Sequence, residues 1–402
     1  MKFTKLERSF DMKTNLKKYA CMRSTVKWLI NSQRRKVMKN RLLVVLFLAF
    51  AVLFSSSFTC EAAPKAAAPA KTYDPQKVYT WKMQAWRSAA EPGMQYYVEM
   101  LEKTLPAMTN GRLKIKMYWG GQLVATPDLL DSVKMGVVEM ALASTYTYQG
   151  VIPAAAVEYG LPFGIRTPNE LYNFMYGRKL PNIMGGWRAI DVLRPEYQKQ
   201  GVYLLVTGVD CWPGSFMFRT PIRTLADIKG KKVRASGLMM NWIEAFGGNG
   251  VFIPGEETYT ALQTGALDGV SWGSAMGMLS VKFHEVAKNF LWPPLMPVNT
   301  ANVIVNQKAW DSLPPDLQVA LEQAMLMAGL NHTNHQNWTG EQWGLTKMKE
   351  AGVKINELSD AELDKAEKVA QDLWAIQAKR SPASAKLVDM TKDYMKQMGY
   401  LK

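Results

Sequence analysis

Histidine and cysteine are scarce in this chain, with three of each among 402 residues. Two of the cysteines, Cys21 and Cys60, lie within the first 62 residues. The remainder holds only Cys211 and can close no internal disulfide. A chain of this length builds its core without such staples. Three histidines also argue against a His-rich metal centre. Long apolar runs are missing too: LLVVLFLAFAVLF, residues 42–54, has 13 residues and is too short to span a bilayer comfortably. Catalytic signatures are equally absent. There is no nucleophile elbow, no Walker or dinucleotide glycine loop and no HExxH. GGNG at 247–250 follows a helical pattern and opens none, so it is not a phosphate loop.

What is present begins with a leader. The run at 42–54 is preceded by MKNR and followed by SSSFTCEAAPKAAAPAK. A basic stretch, a short apolar stretch and small residues near a cleavage point describe a secretory signal. Residues 1–37 read as an extension ahead of a natural start at Met38, residues 38–63 as the signal, and residues 64–78 as an Ala/Pro tether. Uncleaved anchoring by the 13-residue run and lipidation at Cys60 are the less favoured readings. The formal net charge is +15, but residues 1–62 carry thirteen Lys or Arg against three Asp or Glu. Only +5 remains for the rest, and the case for nucleic acid falls away.

Beyond the tether the pattern alternates. VYTWKMQAW reads as a strand, EPGMQYYVEMLEKTLPAMTNG as a helix, RLKIKMYWGG as a strand, TPDLLDSVKMG as a helix with Thr126 as N-cap, and VEMALAST as a strand. A second set follows: strands VYLLVTGVD, FMFRTPI, KKVRAS, GVFIPG, VSWGS and NTANVIVN, with helices between them. From Ala309 onward nearly everything reads as helix, including a segment opened by a Ser359–Glu362 capping box. Strands alternating with helices imply an α/β fold with a largely parallel sheet. Two such units imply two lobes, 79–206 with 299–345 and 207–298, with helices of 346–402 packed on them. A cleft between lobes is the favoured place for a ligand.

Six stretches then resemble one family: GRLKIKMYWGGQLV, SVKMGVVEMALAST, GLPFGIRT, TLADIKGKKVRASG, YTALQTGALDGVSWG and VIVNQKAWDSLPPDLQ. In that order they resemble the solute-binding proteins of tripartite ATP-independent periplasmic (TRAP) transporters, of the dicarboxylate-binding (DctP) type. The phrases ASTYTYQG and DGVSWGS are most similar to its 2-oxoacid or monocarboxylate binders. The resemblance implies a two-lobed periplasmic binding protein that closes on an organic acid and hands it to the small and large membrane subunits of a permease, without chemistry. It also implies that Arg234, in KVRASG, pairs with the ligand carboxylate, and that Tyr146, Tyr148 and Trp272 lie near the cleft. Several relatives place a Glu before the tryptophan and bridge the ligand with a cation. Here that residue is Ser271, and Met296 stands where an acidic ligand is expected, so no metal and no cofactor are expected. CWPGS, with Trp212, replaces a polar contact of relatives. A sensory protein presenting its ligand to a membrane receptor, or a periplasmic enzyme, are the alternatives.

Each candidate has a plainer reading. Arg234 is otherwise a surface salt-bridge arginine, and Trp272, Trp212 and Tyr146 are otherwise core aromatics. Trp86 is a weaker ligand candidate, and its neighbour Arg87 is either a second cleft cation or a solvated charge. Glu256 and Glu257 read as first-turn acids, and His332 and His335 as surface histidines.

Overall fold

The computed structural model describes residues 72–89, 91, 93–178, 186–253, 255–335 and 339–401. The leader, its signal and the Ser-Ser-Ser to Cys60 stretch lie outside the described residues. No helix among the described residues is long and apolar enough to cross a membrane.

Among the described residues nine strands, numbered in chain order, make one sheet in the order β2–β1–β3–β8–β4–β7–β5–β6, with β9 paired to β8. The first half contains β1 (Tyr79–Ala85), β2 (Leu113–Tyr118) and β3 (Met140–Ser144). β1 pairs parallel with both β2 and β3. The second half contains β5 (Lys232–Arg234), β6 (Asn249–Val251) and β7 (Gly269–Trp272), where β5 pairs parallel with both neighbours. Two long strands join the halves. β4 (Val202–Phe218) and β8 (Asn289–Asn306) run antiparallel to each other, and β3 and β7 pair antiparallel with their flanks. The expected α/β fold is therefore present, with its parallel sets separated by an antiparallel pair.

Local chemistry explains these elements. β1 alternates buried and exposed positions along Tyr79–Met83, and β2 does so along its whole length. β3 is buried throughout, as a strand covered on both faces must be. β4 is nearly all buried as well. Its register with β8 shifts repeatedly between Leu204 and Phe216. These bulges bend both strands where they pass from one half to the other.

Four expectations need correction here. VYLLVTGVD and FMFRTPI are one continuous strand, and β8 begins at Asn289, ten residues before the expected NTANVIVN. Pro293, Pro294 and Pro297 donate no ladder bonds, and the bulged pairing with β4 accommodates them. Likewise β9 (Lys354–Glu357) interrupts the helical C-terminal region and pairs with β8. Thr126 does not cap a helix: it starts a 3₁₀ turn whose preceding residue is Ala125.

The C-terminal helices belong to the core. In helix Asp360–Ala378, Ser359 accepts from the Glu362 N–H, while the Glu362 carboxylate accepts from the Leu225 N–H. Trp242 Nε1 of the second half donates to Ala366 O at 3.3 Å, and Trp374 Nε1 donates to Pro162 O of the first half at 2.9 Å. This one helix thus bonds to both halves.

Candidate functional site

Four of the six expected ligand residues come from the carboxyl ends of parallel strands. Trp86 follows the last residue of β1, and Tyr146 lies in the turn Thr145–Tyr148 directly after β3. Arg234 ends β5 and Trp272 ends β7. Ligands of open α/β sheets collect at such ends, because the chain turns away there and exposes backbone and side chains to a crevice. Trp212 comes instead from the middle of β4, within its irregular stretch.

Arg234 is part-buried and has no acidic partner among the described residues. Its Nη1 donates to Ser271 O at 3.0 Å, and its Nε reaches Ile253 O at 3.4 Å. Two of a guanidinium's five N–H donors are thereby used, on neutral carbonyls. The guanidinium carbon lies over the Trp272 ring, 4.6 Å from its centre, and 5.4 Å from the centre of the Phe252 ring. Burial lowers its pKa from the ordinary value, opposed by Tyr159 and Tyr146. An arginine remains charged through such a shift. The fork is held in plane, charged and unneutralised, with Nη2 lacking any partner among the described residues.

Aromatic rings surround it. Trp272 packs edge-on against Phe283 at 5.2 Å. Tyr146 lies 5.9 Å from Tyr159, Tyr159 lies 6.3 Å from Trp212, and Trp212 lies 5.8 Å from Trp86. Glycines let the two halves approach. A Cβ on Gly237, just after β5, would stand 3.1 Å from the Tyr146 ring, and one on Gly273 would stand 3.5 Å from Trp212. Tyr159 hydrogen-bonds Ser236 of the second half; burial raises its pKa, and Arg234 opposes the rise. Tyr159 was not singled out in the sequence, where it sits inside an apolar helix, AAAVEY, with no signal of its own.

Tyr148 stands apart from this group. It is 2% exposed and packs edge-on against Tyr197 at 6.2 Å, within the first-half core. Arg87 is neither a second cleft cation nor a solvated charge. It is 9% exposed, ion-paired to Asp210 and Glu91, and lies over the adjoining Trp86 and Trp212 rings. Nor is His332 a surface histidine: it is fully buried, with Nδ1 2.6 Å from Asp210 Oδ1. A surface hollow of about 690 Å³, lined by Lys232, Val251, Glu257 and Leu267 among others, does not include Arg234.

The chain resembles known proteins over most of its length. A family model described as bacterial extracellular solute-binding protein, family 7, matches residues 84–380. The monocarboxylate 2-oxoacid-binding periplasmic protein of Nostoc sp. is 30% identical over 302 residues, which are 75% of this chain and 80% of that protein. The C4-dicarboxylate-binding periplasmic protein of Rhodobacter capsulatus is 27% identical over 277 residues, covering 67% of this chain and 77% of that one. Among solved structures, a TRAP periplasmic solute binding protein from Pseudoalteromonas atlantica, with bound sodium and pyruvate, superposes with a TM-score of 0.70 at 25% identity. That match covers 80% of this chain and 95% of the other.

Proposed function

Because the chain belongs to the bacterial extracellular solute-binding proteins of family 7, we propose that it captures an organic acid anion in the periplasm and delivers it to a TRAP permease. A monocarboxylate or 2-oxoacid is the favoured ligand, in line with the Nostoc relative. The observation that carries this reading is Arg234: a guanidinium over the Trp272 ring, with neutral carbonyl acceptors on Nε and Nη1 and no acidic partner among the described residues. A carboxylate accepting from Nη1 and Nη2 completes the fork, and such charge-assisted bonds contribute about 1.5–3 kcal/mol each. Trp272, Tyr146 and Trp212 supply apolar surface for the rest of a small acid. The Trp86 Nε1 donor, buried and without a partner among the described residues, is left to bond an acceptor oxygen of the ligand.

Binding and handover need no reaction. The ligand touches Arg234 and Trp272 from one half and Tyr146 from the other, so it bonds fully only when the halves are together. That differential affinity is what shifts the equilibrium toward closure, and the permease subunits read the closed form. The lobes divide at 207 and 298, within β4 and β8, where the register shifts permit bending.

A cation accompanies pyruvate in the Pseudoalteromonas protein. The residues here do not fit one. Hard cations require oxygen-rich shells, whereas Ser271 already gives its carbonyl to Arg234 and buried Met296 offers a thioether. Among the described residues no three His, Cys, Asp or Glu cluster to hold a metal. The ligand carboxylate is therefore held by Arg234 without a bridging cation.

The test is a thermal-shift and calorimetric panel of 2-oxoacids, hydroxyacids, aromatic acids, dicarboxylates and sulfonates, with Arg234→Ala and Arg234→Lys alongside. A ligand at a hundred times its dissociation constant stabilises by about 2.7 kcal/mol. One acid class should shift the wild type and not Arg234→Ala. Equal shifts in both would remove Arg234 from the site.

A further inference from the structure

Arg87 is a second buried arginine in the same neighbourhood, and its surroundings are the reverse of Arg234's. Its Nε and Nη2 donate to the two oxygens of Asp210 at 3.2 and 3.4 Å, and its Nη1 donates to Glu91 at 2.6 Å. Its guanidinium lies 4.4 Å from the Trp86 ring and 4.6 Å from the Trp212 ring. Burial opposes its charge, but Asp210 and Glu91 outweigh burial and raise its pKa. A group so fully engaged has nothing to offer a ligand carboxylate, which would also meet the two acids.

Asp210 carries the other half of the device. It is fully buried in β4, at φ +54°, amid the register shifts that let the strand cross between halves. Few non-glycine residues adopt that conformation, Asp and Asn being the best tolerated. Burial disfavours its negative charge, yet Arg87 and His332 hold its pKa below the ordinary value. His332 comes from helix Pro315–Asn334, and the next residue, Thr333, accepts from the Cys211 N–H at 2.9 Å. Three segments thus meet at one carboxylate at the bend: the residues just after β1, β4 itself and the long helix, while Glu91 holds the far side of Arg87.

We infer that Arg87 is a positioning residue, which clamps the Trp86 and Trp212 indoles as the fixed wall of the ligand space and ties that wall, through Asp210, to the bend shared by both halves. This rests on the binding role proposed above. The wall's position sets how long an acid fits beside Arg234. A planar fork is required, because an ammonium has no flat face to rest on two adjoining rings while bonding both oxygens of one carboxylate.

The experiment is a titration of straight-chain 2-oxoacids of three to six carbons into wild type, Arg87→Met and Arg87→Lys. Arg87→Met is expected to weaken the preferred acid about tenfold or more and to compress the spread across the series. Arg87→Lys should restore only part of that spread. The proposal is overturned if Arg87→Met keeps the wild-type ranking, whether its affinities are unchanged or all uniformly weaker, or if Arg87→Lys restores the wild-type spread. Should Arg87→Met fail to fold, Asp210→Asn replaces it, since Asn tolerates the left-handed backbone and removes only the charge. If wild type binds none of the acids, the binding reading fails separately, and the clamp is read without ligand. Trp212 emission, taken as the difference from Trp212→Phe, should then be quenched by acrylamide about twofold more readily in Arg87→Met, as a ring freed from close packing is. Unchanged quenching sinks the inference.

Discussion

Glu158 is a buried carboxyl group with no cationic partner among the described residues. It is 2% exposed, in helix Ala154–Tyr159, one residue before Tyr159. It accepts from the Tyr197 hydroxyl at 2.5 Å, the Thr207 hydroxyl at 2.5 Å and Asn302 Nδ2 at 3.0 Å. Arg194, on the helix of Tyr197, is engaged with Leu204 O, Leu205 O and Glu322. Burial is the larger effect and pushes Glu158 from its ordinary 4.5 up to about 7, the three donors pulling the other way. The folded state therefore holds a proton that the unfolded state releases between those values. Stability is greatest below pH 4.5 for this group and falls as pH rises through 7. At about 1.4 kcal/mol per tenfold change in proton affinity, the loss above pH 7 is about 3 kcal/mol. Glu341, 5% exposed and also pushed by burial to about 7, adds a fall of the same sign. Glu158→Gln keeps one oxygen for Thr207 and Asn302 and presents an N–H to the Tyr197 hydroxyl. Urea unfolding at intervals from pH 5 to 8 should show wild type losing stability, with Glu158→Gln removing about half of the slope. Parallel curves for the two proteins would refute the assignment.

The remaining expectations concern close packing and accessibility. Gly237 has φ +59° and ψ −144°, a conformation nearly confined to glycine, and an added Cβ would press on Tyr146. Gly237→Ala should lose about 1–3 kcal/mol in urea unfolding and weaken the acid that Arg234 binds; wild-type values in both would contradict the close approach. Gly329 lies where a Cβ would stand 2.3 Å from Val209 Cβ, so helix Pro315–Asn334 must move off β4 to admit alanine. Gly329→Ala should cost about 1–3 kcal/mol, read by the same unfolding assay. Cys211 is fully buried, and burial pushes its thiol up to about 12. In a Cys21→Ser, Cys60→Ser background it should resist Ellman's reagent until the chain unfolds, and rapid native labelling would contradict its placement.

Much of the site was legible because strand ends are legible. KKVRAS is a short β-prone stretch followed directly by a helical pattern, and VSWGS is likewise followed by one, which puts Arg234 and Trp272 at the carboxyl ends of their strands. Tyr146 followed from the same logic, and Tyr148 did not survive it. Two residues apart on a 3₁₀ turn of three residues per turn, the pair cannot share a face, and Tyr148 turns inward to Tyr197. The long reach of β8 was hidden by its prolines, whose effect on pairing depends on which edge of the strand lacks a partner. His332 and Asp210 were hidden for another reason. Each is polar in an apolar context, and only the fold reveals that the polar residue of β4 and that of a helix some 120 positions later satisfy one another. The acid inside LLVTGVDCWPG was the available signal, because a buried charge demands a partner.

The two arginines show why residue type and local pattern stop short of role. Arg87 and Arg234 both follow or end a parallel strand, and both stack on tryptophan. What separates them is the charge of their acceptors. Arg87 meets two carboxylates and is neutralised within the protein, so its interactions are complete before any ligand arrives. Arg234 meets two carbonyls, which orient the guanidinium but leave its charge uncompensated. An uncompensated part-buried cation is costly in the empty protein, and an arriving anion relieves that cost as it binds. Placing an acid beside Arg234 would stabilise the empty site and remove the reason to bind. Removing the acids from Arg87 would create a second anion site with two tryptophans for walls. The difference between anchor and clamp therefore resides in Asp210 and Glu91 rather than in either arginine.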